Sequence, residues 1–226
     1  MNFPKISKRL LCAASFAKSN EFIADVGTDH AYLPIYLYTK KIIRGAVVSD
    51  INEGPIERAS KNISEFSCEG AIIPLLCDGL SKIGEYSPDT VFILGMGGEL
   101  IANIISKAEW LKENGTRLVM QPMTHAEILR EFLVTNGFEI LDEAMVEDSK
   151  IYQIIVAKYT GNNTDTNKFE LHFGRKNLQR RQDILIDALK RESEILRARL
   201  LGKQKAGLCG GEDAELLMMI EDYLNK

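Results

Sequence analysis

Between Glu21 and Tyr159 the chain alternates short apolar runs with longer amphipathic ones, and this alternation restricts the fold more than any other feature of the sequence. EFIADVG (21–27) reads as a strand ending in a glycine turn, and Ala31–Lys41 as a helix with Pro34 tolerated in its first turn. RGAVVSD (44–50) predicts a second strand, followed by a helix from about Pro55 to Phe66. AIIPLLC (71–77) predicts a third strand whose proline marks an edge or irregular position. TVFILG (90–95) is an unbroken apolar run, as expected of a strand covered on both faces. A helix over about Glu99–Lys107, the strand RLVMQ (117–121) and a helix over Ala126–Asn136, closed by Gly137, come next. FEILDEAMVEDSKIYQIIVAKY (138–159) gives two strands with a polar connection, an antiparallel pair. The sum is an α/β fold: a mostly parallel, doubly wound sheet with one antiparallel edge hairpin.

Beyond Tyr159 the period changes. GNNTDTN (161–167) has no large apolar residue and reads as a linker. Leu178, Leu185, Leu189, Leu196 and Leu200 then follow spacings of seven and four, the seam of a coiled-coil-like helix. KAGLCGG (205–211) breaks that helix, and Glu212–Leu224 resumes as a second one, so residues 168–226 predict a helical hairpin after an α/β domain over 1–160. Charge divides along the same line. Residues 1–167 hold 16 basic and 22 acidic side chains, whereas 168–205 hold 11 and 5, a net of +6 within a chain of −4. Such a segment has two readings, a solvated salt-bridged helix face or a surface for a polyanion.

No window approaches the length of apolar residues a membrane span needs. The apolar stretch after the basic N-terminus is short and broken by Lys18, which reads as a first helix rather than a signal peptide. Cys12, Cys68, Cys77 and Cys209 stand far apart, with no C-x-x-C and no histidine at ligand spacing. They read as reduced thiols of a cytoplasmic protein without a zinc site. Nothing in the chain indicates a protein partner.

In open α/β sheets a ligand sits beyond the carboxyl ends of the strands, where strand order reverses. After the first strand stand Asp25, Gly27, Thr28, Asp29 and His30; after the second, Asp50 and Asn52; after the third, Asp78 and Gly79; after the fourth, Gly95, Met96, Gly97 and Gly98; after the fifth, Gln121 and Pro122. Gly27 lets the backbone turn sharply beside a ligand. Asp50, 25 residues after Asp25, is close to the spacing at which an acid grips ribose hydroxyls, and Asp78 is placed to accept a hydrogen bond from an adenine amine. The first turn is not G-x-G-x-x-G, which disfavours NAD and FAD and leaves an adenosine ligand without phosphates. S-adenosylmethionine fits, because its sulfonium and ammonium charges suit a carboxylate-rich pocket.

The strings Asp25–Pro34 (DVGTDHAYLP), Asp50–Pro55 (DINEGP), Cys77–Leu80 (CDGL), Gly95–Gly98 (GMGG) and Gln121-Pro122 closely resemble the bacterial tRNA (adenine-N1)-methyltransferases of the TrmK family, which modify adenine 22 in the D-arm of tRNA. The resemblance runs from about Ser7 to Tyr159 and continues more weakly through Phe173-Gly174 into the helical tail. It departs at Met123, where the family has Asn. It implies a class I Rossmann-like methyltransferase with a coiled-coil-like C-terminal domain, S-adenosylmethionine as cofactor and tRNA as substrate. By resemblance, Asp25 and Gly27 line the methionine end, with His30 and Leu33 nearby. Asp50 and Asn52 hold the ribose, Asp78 and Gly79 frame the adenine, and Gly95, Met96 and Gly97 form the floor beneath the methyl. The catalytic carboxylate falls on Asp29.

N1 of adenine lies on the Watson–Crick edge, so the base must be exposed, and a carboxylate near the exocyclic amine can orient it. Close backbone approach at Gly95, Gly97 and Gly98 gives room to align it. The Asn-Pro-Pro-aromatic signature of exocyclic-amine methyltransferases is absent, which favours ring-nitrogen chemistry. Asp29 has a second reading, as the N-cap of the helix near Ala31, and His30 one as a packing residue. The leucine seam is packing, so RNA contacts fall to Lys168, Arg175, Lys176, Arg180, Arg181, Lys190, Arg191, Arg197 and Arg199 on its outer faces. Two rival functions share these features: a nucleotide-dependent oxidoreductase on the same fold, and a catalytically silent RNA-binding or interaction protein.

Overall fold

The apolar runs line up in one sheet: β1 (Glu21–Val26), β2 (Ile43–Asp50), β3 (Ile72–Leu76), β4 (Thr90–Met96), β5 (Arg117–Pro122), β6 (Phe138–Glu147) and β7 (Ile151–Tyr159). The computed structural model describes residues 3–113 and 115–226. Strand order is β3-β2-β1-β4-β5-β7-β6, reversing direction of travel between β1 and β4. β1 to β5 pair in parallel, and β7 is antiparallel to both β5 and β6. Pro74 lies in β3, which pairs with β2 alone, so the missing N–H faces no neighbour.

The terminal hairpin differs in one respect from a simple edge addition, because its second strand enters the sheet and its first becomes the edge. The residues explain this. β7 reads IYQIIVAKY and buries Ile154–Ala157 consecutively, whereas β6 mixes acids among its apolar residues and exposes Glu139, Leu141 and Glu147. A buried ion pair fastens the hairpin: Arg130 donates Nε to Glu143 (2.6 Å) and Nη2 to Gln153 (2.5 Å).

Helices α1 (Lys8–Ala14), α2 (Tyr32–Thr39) and α3 (Glu53–Glu65) cover one face, where Ala13, Ile35 and Ile63 pack on Ile23, Val48 and Phe92. Helices α4 (Gly98–Ser106) and α5 (Ala126–Thr135) cover the other, where Ile101, Ile105, Leu129 and Leu133 meet Ala24, Val91 and Leu118. Alternate residues of β1 therefore enter opposite cores, as a two-residue period requires. Packing on both faces holds the strand ends rigid, which a site built across several loops needs.

Residues divide into two compact units, Met1–Asp165 and Thr166–Lys226. The second contains α6 (Lys168–Phe173), α7 (Arg175–Arg180), α8 (Asp183–Lys205) and α9 (Gly211–Leu224). The predicted seam does not run through one helix. Gly174 (φ 85°) and Arg181 (φ 48°) adopt conformations that end α6 and α7, so Leu178 belongs to a different helix from Leu185, Leu189 and Leu196. Those three are buried, and Leu216 and Ile220 of α9 are buried in the same unit. A capping box starts α6, Asn167 and Glu170 each satisfying the other's backbone N–H.

Candidate active site

A cleft of about 250 Å³ opens at the carboxyl ends of β1 to β4, where the strand order reverses. Gly27, Asp50, Asp78, Gly79 and Met96 line it, and Leu100 and Ile104 of α4 form an apolar wall. Five of the predicted cofactor residues thus meet around one space, though they come from four different strand ends. The helical wall was not legible in the sequence, because Leu100 and Ile104 read as an ordinary amphipathic stripe.

The other predicted residues stand behind this lining. Asn52 donates its backbone N–H (2.8 Å) and its side-chain amide (3.2 Å) to Asp50 Oδ1. It therefore orients the carboxylate without lining the cleft itself. Asp25 is buried below the β1 turn, and burial pushes its carboxyl up to about 6 against the opposing hydrogen bond of Thr28. Gly27 has φ 75°, and a Cβ there would lie 1.9 Å from the Met96 methyl. The turn requires glycine, whereas the Met96 methyl, at the end of a flexible side chain, could move aside. The N–H groups of Gly27 and Thr28 both donate to the Ser49 carbonyl, at 2.7 and 3.0 Å, which ties the turn to β2.

Asp29 does not cap α2. The residue at that position is Ala31 (φ 56°), whose N–H donates to Thr28 Oγ1 at 3.0 Å. Asp29 instead accepts from Arg58 of α3, through Nε at 2.9 Å and through Nη2, and stands 3.2 Å from His30 Nε2. His30 stacks on Tyr32 with centroids 5.0 Å apart. Asp29 is exposed, so this network fixes the loop more than it adds stability. Leu33 is fully packed in the core and does not line the cleft.

On the far side of Met96 the chain is built differently. Gly95 has φ 81°, and the β4–β5 register shifts between Leu94 and Met96, a bulge that re-aims the strand end. Gly97 caps α4, and a Cβ on it would touch Thr124 Oγ1 at 3.3 Å. Gly98 leaves no room for a base, because a Cβ there would fall 2.1 Å from the His125 carbonyl oxygen; its absent side chain lets α4 start against the Thr124–His125 backbone. Met123 N–H donates to the Met96 carbonyl at 2.7 Å. Three residues that sequence reasoning missed gather here: Arg9 donates to the buried Gln121 side chain, and both Arg9 and Lys150 stand over the Tyr152 ring. Arg9 lies 112 residues from Gln121, and no local pattern in the sequence signals such a contact.

In the helical unit the predicted RNA contacts are mostly engaged within the unit itself. Arg175 pairs with Glu170 (2.8 Å), Arg197 with Glu221 (2.7 Å), Arg199 with Asp213 (3.2 Å) and Lys168 with Glu215 (3.4 Å). Arg175 holds the Glu170 carboxyl below its ordinary value, and Lys203 with Arg199 does the same for Asp213. Arg181 lies 4.7 Å over the Tyr223 ring, and Lys176, Arg180 and Arg191 also have partners. Lys190 is exposed on α8. Among the described residues no helix is long and apolar enough to cross a membrane.

Comparison with known proteins agrees with this geometry. A family described as "Methyltransferase domain" matches residues 6–155. Over 159 residues the chain is 35% identical to the tRNA (adenine(22)-N(1))-methyltransferase of Bacillus subtilis strain 168, covering 70% of this chain and 67% of that one. Among solved structures, Streptococcus pneumoniae Sp1610 in complex with S-adenosyl-L-methionine matches with a TM-score of 0.88 at 30% identity, covering 97% of this chain and all (100%) of that one. M. capricolum TrmK in complex with S-adenosyl-homocysteine gives 0.84 at 27% identity, over 97% and 98% of the two chains. With a relative this similar over more than two thirds of its length, and a strand-end cleft to match, the chain belongs to the TrmK family of tRNA (adenine-N1)-methyltransferases.

Proposed function

We propose that this protein transfers the methyl group of S-adenosylmethionine to N1 of adenine 22 in the D-arm of tRNA. The observation that carries the reading is the cleft itself: an apolar slot at the sheet's switch point with Asp50, oriented by Asn52, and Asp78 at its edges. That set of acceptors suits an adenosine, with Asp50 taking hydrogen bonds from the ribose hydroxyls and Asp78 and Gly79 around the adenine. When bound, S-adenosylmethionine supplies an electrophilic methyl on a sulfonium sulfur. Gly27 would hold its methionine end, with Asp25 buried beneath the same turn and His30 stiffening the loop, and Met96 between Gly95 and Gly97 would floor the reacting end. Asp29 orients the target amine, and for that its carboxylate turns from Arg58.

The structure disfavours the oxidoreductase reading on one specific point. A dinucleotide places its pyrophosphate at the N-terminus of the helix after β1. There the Ala31 N–H, a donor a pyrophosphate would need, is already taken by Thr28. A cationic cofactor without phosphates has no such conflict. For Thr166–Lys226 we propose a share in gripping tRNA, with Lys190 and the outer arginines as contacts, and a tRNA substrate puts the enzyme in the cytoplasm.

The test is nucleoside mass spectrometry of unmodified tRNA incubated with the protein and S-adenosylmethionine. The expected product is 1-methyladenosine, lost when adenine 22 is replaced. Another methylated nucleoside, or none while NAD(H) raises the melting temperature, sinks the reading.

A further inference from the structure

The residues beyond Met96 form a connected corner. From the cofactor cleft, Met96 passes its carbonyl to the Met123 N–H (2.7 Å), and the Met123 carbonyl accepts from Lys150 Nζ (3.2 Å). Lys150 Nζ lies 5.4 Å from the centre of the Tyr152 ring, and the Arg9 guanidinium 5.5 Å from the same ring. Arg9 closes the circuit by donating Nη1 to Gln121 Oε1, and the same nitrogen lies 3.3 Å from where a Gly95 Cβ would stand. Two cations thus flank one buried tyrosine, immediately beside the strand end that floors the cofactor.

Their charge has no local explanation. Among the described residues no carboxylate pairs with the Arg9 guanidinium or the Lys150 ammonium; the nearby Asp148 accepts from the Arg9 backbone N–H instead (3.4 Å). Both stand in a region, residues 1–167, that carries a net charge of −6. Gln121 is fully buried, so it fixes the Arg9 head rather than following it. A guanidinium held by a neutral amide and a ring keeps donors for an anion from outside.

We infer that Arg9 and Lys150 form a phosphodiester seat for the backbone of the substrate RNA next to the acceptor nucleotide. The inference rests on the proposed methyl transfer for its substrate, and extends it by giving the catalytic unit its own grip on RNA. Charge logic separates this from a seat for the base. N1 becomes cationic as it gains the methyl, so two fixed cations at the base edge would oppose the reaction, whereas across the sugar from the base they meet a phosphate.

The experiment is binding of unmodified tRNA transcript to full-length protein across a salt series, with steady-state methylation beside it. Arg9→Gln and Lys150→Gln should each reduce the slope of log affinity against log salt by about 0.7–0.9, and the double variant by about 1.5. The KM for tRNA should rise roughly tenfold per variant with kcat within about threefold, while S-adenosylmethionine affinity stays unchanged. Arg9→Lys should restore the slope, because a phosphate contact needs the charge. Lys150 is exposed, so its variant keeps the fold even if loss of Arg9 disturbs Gln121. An unchanged slope in Lys150→Gln and in the double variant, or a loss confined to kcat, overturns the seat. Wild-type protein that binds tRNA but forms no 1-methyladenosine overturns the functional reading instead, and the slopes still decide the seat.

Discussion

The two halves of the strand-end surface differ in chemistry. At the ends of β2 and β3 the carboxylates of Asp50 and Asp78 line the cleft, with Asp25 buried beneath the β1 turn, whereas at the ends of β4 and β5 stand glycines, methionines and a buried amide, approached by Arg9 and Lys150. Met96 is the border between them. An acidic half suits a cofactor whose reactive end is cationic, and a basic half suits a polyanion that must bring one base to it. The difference teaches that a site whose halves are drawn from different loops can suit two ligands of opposite charge, so the mean charge of the unit describes neither half.

The comparison breaks most sharply at Asp29, on the acidic half. Asp29→Ala should keep the fold and the cofactor but lose about 10²-fold in single-turnover methyl transfer. Arg58→Ala, which only frees that carboxylate from its clamp, should change turnover by less than about tenfold. Equal losses in both would assign Asp29 to holding the loop, and wild-type rates in Asp29→Ala would leave it with no part in transfer. Rapid-quench kinetics on unmodified tRNA reads these outcomes.

Asp50→Ala should weaken S-adenosylmethionine by at least about tenfold, since hydrogen bonds to a charged group contribute roughly 1.5–3 kcal/mol. Calorimetry measures it. Asn52→Ala should give a smaller loss in the same direction, because Asn52 acts through Asp50. Neither should alter the salt slope of tRNA binding, and if either does, the two halves are not separate.

Asp25 sharpens the comparison through pH. Its carboxyl titrates at about 6 in the folded protein against an ordinary value near 4, so between those values the native state holds more protons than the unfolded chain. Stability from this group is full below about pH 4 and is lost as pH rises through about 6. A cationic ligand beside it favours the ionised form, so binding S-adenosylmethionine should release a proton, and affinity should rise several-fold from pH 5 to 7. Asp25→Asn should flatten both profiles, as chemical denaturation and calorimetry across pH would record. Unchanged profiles would remove Asp25 from both effects.

The smallest effect belongs to the helical unit, which reads as strongly basic yet spends much of that charge internally. Arg197 and Arg199 of α8 pair with Glu221 and Asp213 of α9, so the +6 segment meets its counter-charge in the next helix. Lys190→Glu should weaken tRNA binding only about two- to threefold near 0.15 M salt, by filter binding. A larger loss than in Lys150→Gln would shift the main electrostatic grip to the helices.

The sequence by itself determined the strands, their parallel pairing and the acidic strand ends, because each is written within a few consecutive residues. A two-residue period, a glycine turn and a carboxylate after an apolar run need no distant partner to be recognised. It also marked Pro74 as an edge or irregular position, since a missing N–H is a local fact, and the strand order decided for the edge. Only the tertiary structure decided that β7 enters the sheet ahead of β6, that Gly98 yields to the His125 backbone, and that Thr28 rather than Asp29 takes the Ala31 N–H. It alone brought Arg9 to Gln121 across 112 residues and set the arginines of α8 against the acids of α9. The physical reason is range: backbone geometry and burial pattern act between neighbours in sequence. Which charge meets which partner is settled by packing, and packing is a property of the folded chain.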